Sequence, residues 1–246
     1  MTDTTTLEPE VQLPSVFARA IGVVTSPKAT FELVVKKPQP WAILALIALV
    51  LGLCQSAFLW TDRGQQALID FQMQQGEKWS KALGHEMTQE ESDQAYARAQ
   101  KTAPFQKYIA LVQFFVGMPV VLLFFSLLFW VAFNAVLGGT ASFKHVMAVQ
   151  AHAMMASCLG GIFGVIMSFA HGAMTTAPGN IGQLLPMLPE GTYLAKFFGF
   201  LDIFALWNCI LSGIGLGVLY KRSGRAISTT LIVIYVVFVA CIAAIF

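Results

Sequence analysis

The sequence predicts an all-α integral membrane protein with five transmembrane helices, preceded by N-terminal interfacial amphipathic helices and interrupted by an extracytoplasmic helical hairpin insert. Hydrophobic residues make up 57% of the 246 residues and charged residues 11%, whereas an average soluble domain carries roughly 25% charged residues. Seven of the 13 acidic and six of the 15 basic residues fall within residues 61–107. The rest of the chain is too poor in charge to form the surface of a soluble globular protein. The net charge of +2 does not indicate a nucleic-acid partner.

The N-terminal segments precede any run long enough to cross a membrane. Residues 1–14 are rich in threonine and acidic side chains without periodicity, which predicts a disordered tail. Residues 15–38 contain two short amphipathic patterns, the first with Ser15 as N-cap and the second with Pro27 in its first turn. We expect both helices to lie on the cytoplasmic surface of the membrane, with their lysines at the lipid headgroups.

Residues 39–246 form the predicted membrane domain. About twenty apolar residues cross a hydrocarbon core roughly 30 Å thick, and five runs of low charge meet that length. They are residues 41–60, 108–137, 146–170, 197–220 and 226–246. Trp41 and Trp60 anchor the ends of the first run at the two interfaces, and Pro119 predicts a tilt or kink in the second.

The polar insert of residues 61–107 predicts a helical hairpin. Apolar side chains three or four residues apart, beginning at Leu68, indicate one amphipathic helix. Thr88 and Glu91 have the spacing of a capping box, which starts a second helix that we expect to end before Pro104.

The segment of residues 171–196 contains several prolines and glycines that interrupt helices, yet it is rather apolar. A surface loop packed on the helix ends is the favoured interpretation. A segment that dips into the membrane interface is the alternative.

Lysine and arginine residues in the short connections predict the orientation. The opposite side carries Lys196 and the nearly charge-balanced insert. The side of the N-terminus carries more basic residues: Arg19, Lys28, Lys36, Lys37, Lys144, Lys221, Arg222 and Arg225. We therefore expect a cytoplasmic N-terminus and an extracytoplasmic C-terminus.

Three polar side chains in the predicted spans are candidates for an intramembrane polar site, namely His152, Asp202 and Asn208. His145 lies two turns before His152, but a metal or proton-relay site needs a further ligand on that face, and hydrogen bonding between helices or to headgroups is the favoured role. For Asp202, pairing with Lys196 or with a polar group of another helix is favoured over substrate or ion handling.

Two rows of small residues predict close helix packing in the third and fourth spans. They include Gly160 and Gly164 in the third span and Gly213 and Gly217 in the fourth. Such rows mark packing far more often than they line a pore.

The chain contains no recognisable nucleotide-binding loop, nucleophile elbow, metalloprotease motif or pair of carboxylates, so we expect no catalytic residues, cofactor or metal site. The four cysteines lie in apolar runs and form no CxxC pair, which gives no indication of disulfides or of a thiolate metal site.

Three segments resemble the recurring blocks of the Yip family, the Ypt/Rab-interacting small membrane proteins. They read ARAIGVVTSPKATFELVVKKPQPW, GGTASFKHVMAVQAHA and LDIFALWNCILSGIGLGVLYKRSGRA, in that order. The resemblance implies five spans, a cytoplasmic N-terminus and a non-enzymatic role, since eukaryotic members bind prenylated Rab GTPases and one another in vesicle traffic. The short N-terminal region and the long insert depart from the eukaryotic pattern. They favour a prokaryotic member located in the bacterial inner membrane.

The leading hypothesis is an integral membrane adaptor, or membrane-organising protein, that binds the lipid bilayer and other membrane proteins, self-association included. The candidate partner surface comprises Phe17, Ile21 and Val24 in the first short helix and Phe71 and Trp79 in the insert. The alternative is a small transporter or channel component, which needs a polar path near Asp202, Asn208 and His152. A membrane-embedded enzyme is the third hypothesis.

Overall fold

A computed structural model describes residues 13–174, 179–185, 187–189 and 191–245. Most of the predicted tail, residues 1–12, lies outside the described residues. The α-helices are α1 (Val16–Thr25), α2 (Pro27–Lys36), α3 (Pro40–Leu59), α4 (Asp62–Ala82), α5 (Gln89–Trp130), α6 (Phe143–Ala153), α7 (Met155–His171), α8 (Tyr193–Phe200), α9 (Ile203–Tyr220) and α10 (Gly224–Ile245). A π-helical segment, Val131–Val136, continues α5, and a 3-10 turn, Ile181–Leu184, precedes α8.

Five helical segments are long and apolar enough to cross a membrane, which confirms the all-α fold class with five spans. They are Pro40–Leu59, Gln89–Val136, Phe143–His171, Ile203–Tyr220 and Gly224–Ile245. The described part of the chain contains no strand, and its one isolated bridge joins Asn180 to Asp202.

Helix α6 lies at the centre of the bundle. Every residue from Val146 to Ala153 is buried, as expected for a helix surrounded by protein on all sides. One hydrophobic cluster on α6 includes Met147 and packs against α3, and a second includes Val149 and packs against α2 and α9. The two short N-terminal helices are therefore built into the core, since α1 contributes Ala20 to the first cluster and Val23 to the second.

The second span is continuous with the insert. The expected helix end before Pro104 is wrong, because α5 runs through both Pro104 and Pro119. An interior proline disfavours a helix by about 3 kcal/mol, but the faces on either side of Pro104 are buried: Ala99 and Ala103 pack against α4, and Ala110 packs in a cluster with the end of α3. This packing on both sides of the proline is the physical reason that the helix continues. The predicted capping box is present, since Glu91 accepts from the Thr88 N–H at 2.8 Å.

The fourth span begins later than predicted. Residues 197–220 do not form one helix, because Leu201 and Asp202 separate α8 from α9. The Tyr235 hydroxyl satisfies the interrupted backbone: it accepts from the Asp202 N–H and donates to the Phe200 carbonyl, both at 3.1 Å. An interrupted backbone at membrane depth needs such internal partners. The third span also has a short break, at Met154 between α6 and α7.

Candidate functional site

His152 is fully buried in the last turn of α6. Its Nδ1 lies 2.7 Å from the Ala148 carbonyl oxygen. Because a carbonyl oxygen only accepts, Nδ1 carries the proton, and Nε2 of the neutral ring holds a lone pair. Nε2 has no hydrogen-bond partner in the structure.

Asp202 is the N-cap of α9 rather than a residue inside a helix. One carboxylate oxygen accepts from the N–H groups of Phe204 and Ala205 at 2.8 and 3.0 Å, and the other accepts from the N–H of Gly179 at 3.0 Å. The hydrogen bonds recorded for this carboxylate all come from the backbone. Of the two expected kinds of partner, Lys196 or a polar group of another helix, Lys196 forms no ion pair with Asp202 among the described residues.

Asn208 joins α9 to the third span. Its Nδ2 donates to the Ala153 carbonyl at 3.2 Å and lies 3.3 Å from the Ser157 hydroxyl. The Ser212 hydroxyl lies 3.1 Å from Oε1 of Gln150 and 3.4 Å from Oδ1 of Asn208, and it donates to one of them. These groups link helices to one another.

Among the described residues, no hydrogen bond joins the side chains of His152, Asp202 and Asn208 to one another. Asn208 lies about 9 Å further along α9 than Asp202, by the rise of 1.5 Å per residue, and it reaches the third span at the carbonyl of Ala153, which follows His152 in the sequence. The two leading cavities in the described structure lie at the insert and not among the spans. Gln72 and Arg98 border the larger one, of about 290 Å³, and Phe71 and Met174 border the smaller one. The described residues contain no group of three His, Cys, Asp or Glu side chains suited to a metal ion.

The glycines predicted to pack helices face either the backbone or a side chain of a neighbouring helix. A Cβ atom at Gly213 would lie 2.5 Å from the backbone nitrogen of Ser228, and one at Gly217 would lie 2.6 Å from Cα of Gly224. The backbones of α9 and α10 therefore approach closely there. Gly160 instead faces the ring and Cβ of Phe204, and Gly164 is buried in α7.

The predicted partner residues lie on two separate surfaces. Phe17 and Ile21 of α1 are 67% and 64% exposed, and Val24 is also exposed. Trp79 of α4 is 59% exposed, whereas Phe71 is half-buried beside the smaller cavity. Helix α1 precedes the start of the first span and α4 follows its end, so the two surfaces belong to opposite ends of α3.

Sequence reasoning counted Arg19 only as a positive charge on the cytoplasmic side. The structure buries it to 2% exposure on the inner face of α1. Its Nη2 donates to Oε1 of Gln39 at 3.4 Å, while Nε and Nη1 have no partner. Burial lowers the pKa of Arg19, although a guanidinium stays charged at neutral pH. One feature of the sequence could have predicted the burial of Arg19. It lies one residue before Ala20 and four before Val23, on the inward side of α1.

Comparison with known proteins shows a family relationship, which the geometry of these residues does not reveal. The family model described as the Yip1 domain matches residues 21–246. Membrane protein YknW of Bacillus subtilis is similar to this chain, with 25% identity over 228 residues, which cover 92% of this chain and 88% of that protein. No solved structure matches.

Proposed function

Because the chain belongs to the Yip1 domain family, a family of membrane proteins, we propose that it is an integral membrane adaptor that binds other membrane proteins and performs no chemical step itself. We place it in the bacterial inner membrane, with the N-terminus in the cytoplasm and the C-terminus outside. Its proposed partners are other membrane proteins, further copies of this chain, or both.

The outward row of α1 is the observation that carries this proposal. Phe17, Ile21 and Val24 point away from the bundle on a helix whose other face, with Ala20 and Val23, is buried in the two core clusters. A rigid apolar row on a helix that does not itself span the membrane suits recognition of an apolar helix face of a partner. The polar groups of the spans support the same proposal, since Asn208 and Asp202 are occupied in holding helices and loops together.

Replacing Ile21 by glutamate is expected to lower the recovery of co-purifying membrane proteins in mild detergent by at least about tenfold, since an anchor of a protein interface contributes about 2 kcal/mol, which is roughly thirtyfold in affinity. Thr25→Glu is the matched control, because it adds the same charge to an exposed position of the same helix outside the apolar row. Recovery should be measured by quantitative mass spectrometry at equal amounts of folded bait. Equal recovery with Ile21→Glu and with the unchanged protein would argue against a partner surface on α1.

The proposed orientation predicts opposite labelling at two cysteines placed in a background without the four native ones. A cysteine at Ser223, in the turn between α9 and α10, should be protected from a membrane-impermeant thiol reagent in intact cells. One at Gln94, in the insert, should react. The basic residues in that turn favour the cytoplasmic side, and the hydrogen bond from Arg222 to the Leu137 carbonyl at 2.8 Å indicates that the two connections share one side. Labelling at Ser223 with protection at Gln94 would reverse the orientation.

A further inference from the structure

Arg19 is a buried positive charge without a counter-charge. It is 2% exposed, and it forms no ion pair in the part of the chain that the structure describes. Gln39 Oε1, at 3.4 Å from Nη2, is neutral and distant for a hydrogen bond. An isolated buried ion loses several kcal/mol of hydration that one such contact does not restore.

The neighbours of Arg19 do not supply the missing negative charge. His152 lies within electrostatic range, but its Nδ1–H is donated to Ala148, so the neutral ring contributes only a lone pair at Nε2. Glu32 is the one acidic residue in the sequences of α1 and α2, and it is exposed. The helices that contact α1, namely α2, α3, α6 and α7, contain no other acidic side chain, which leaves the charge of Arg19 available to an anion from the surroundings.

Gln39 gives such an anion a route to the guanidinium. Gln39 itself is exposed and immediately precedes Pro40, the first residue of the first span. A residue at the end of a span lies at the level of the lipid headgroups. Movement of the Gln39 side chain away from the protein would uncover Nη2. Together with Nε or Nη1, Nη2 then presents two parallel N–H donors.

We propose that Arg19 is a binding site for a phosphate group, carried by an anionic phospholipid whose headgroup replaces the side chain of Gln39. The planar guanidinium matches two phosphate oxygens at once and is less strongly hydrated than an ammonium, which suits a buried site. The position of Gln39 at the start of a span favours a lipid phosphate over a phosphate free in solution, although the chemistry of the two is shared. Lys36, exposed at the end of α2, adds attraction for an anionic surface. The inference does not depend on the adaptor role.

Native mass spectrometry of the full-length protein, stripped of lipid in mild detergent, tests the site. Phosphatidylglycerol should bind the unchanged protein. Arg19→Gln should weaken that binding about tenfold or more, because the variant loses the hydrogen bonds between the charged guanidinium and the phosphate. Arg225→Gln, which removes an exposed arginine from the first turn of α10, should bind as the unchanged protein does. Phosphatidylcholine, which carries no net charge, should bind weakly to all three. Equal retention of phosphatidylglycerol by Arg19→Gln and the unchanged protein would overturn the proposal.

Thermal unfolding separates a lost site from a misfolded variant. In lipid-free detergent, Arg19→Met should unfold at the same or a higher temperature than the unchanged protein, because it removes an uncompensated buried charge. Phosphatidylglycerol should then raise the unfolding temperature of the unchanged protein and leave that of Arg19→Met unaltered. A lower unfolding temperature of Arg19→Met without lipid would show that the charge is already compensated within the protein, and would overturn the site. Stabilisation by inorganic phosphate equal to that by the lipid would overturn the assignment to a phospholipid.

Discussion

Replacing Gly213 by leucine is expected to destabilise the protein by about 3 kcal/mol, at the upper end of the usual effect of overpacking. The reason is that the α9 backbone at Gly213 faces the α10 backbone at Ser228. A Cβ there would lie 2.5 Å from the Ser228 nitrogen and 2.6 Å from its Cα, and a backbone cannot turn aside as a side chain can. The two helices would have to separate, which would also break the hydrogen bond from the Ser228 hydroxyl to the Ile210 carbonyl at 3.1 Å. Denaturant titration in detergent should show this loss.

Gly117→Leu is the control for that substitution. Gly117 also lies within a span, in α5, but it is exposed and a Cβ there would meet nothing within 4 Å. The same change should therefore have little effect, since leucine also favours the helical conformation over glycine. Gly160→Leu should fall between the two, because its neighbour is the side chain of Phe204. Equal tolerance of leucine at Gly117 and Gly213 would contradict close approach of α9 and α10.

Asp202→Ala is expected to destabilise the protein by about 2 kcal/mol or more. Loss of an N-cap contributes about 1 kcal/mol, and the N–H of Gly179, which is buried, would lose its acceptor at a further penalty of about 1 kcal/mol or more. The expected result is a lower unfolding temperature, measured by scanning fluorimetry in detergent.

Asp202→Asn separates the structural role of this side chain from a role for its charge. Asparagine is as good an N-cap as aspartate, and its Oδ1 can accept from the N–H groups of Phe204 and Ala205, but its Nδ2 only donates and cannot accept from the N–H of Gly179. We expect a stability between those of Asp202→Ala and the unchanged protein, and normal complementation of a strain that lacks the protein. Complete loss of complementation by Asp202→Asn, with folded protein at normal abundance, would instead favour the transporter hypothesis.

The fold class and the approximate position of each of the five spans could be predicted from the sequence alone. A run of about twenty apolar residues has few stable alternatives to a helix that crosses a bilayer, because unpaired backbone groups are so unfavourable in lipid. Local signals could also be predicted from the sequence, such as the hydrogen bonds between Thr88 and Glu91 that start α5. These features depend on neighbouring residues alone.

Tertiary structure decided whether a local signal ends a helix. Pro104 does not end α5, because its neighbours Ala99, Ala103 and Ala110 are buried. Leu201 and Asp202 do divide the predicted fourth span, because the Tyr235 hydroxyl, from another helix, satisfies the interrupted backbone.

Tertiary structure also decided the role of each polar residue. Hydropathy identified Asp202 as unusual, but only the fold shows that Gly179 and the start of α9 occupy its carboxylate. Arg19 counted in the sequence only as a positive charge on the side of the N-terminus, yet α1 packs into the bundle and buries it. Burial and hydrogen bonding of a side chain depend on contacts between segments far apart in the sequence, and periodicity within one segment does not contain that information.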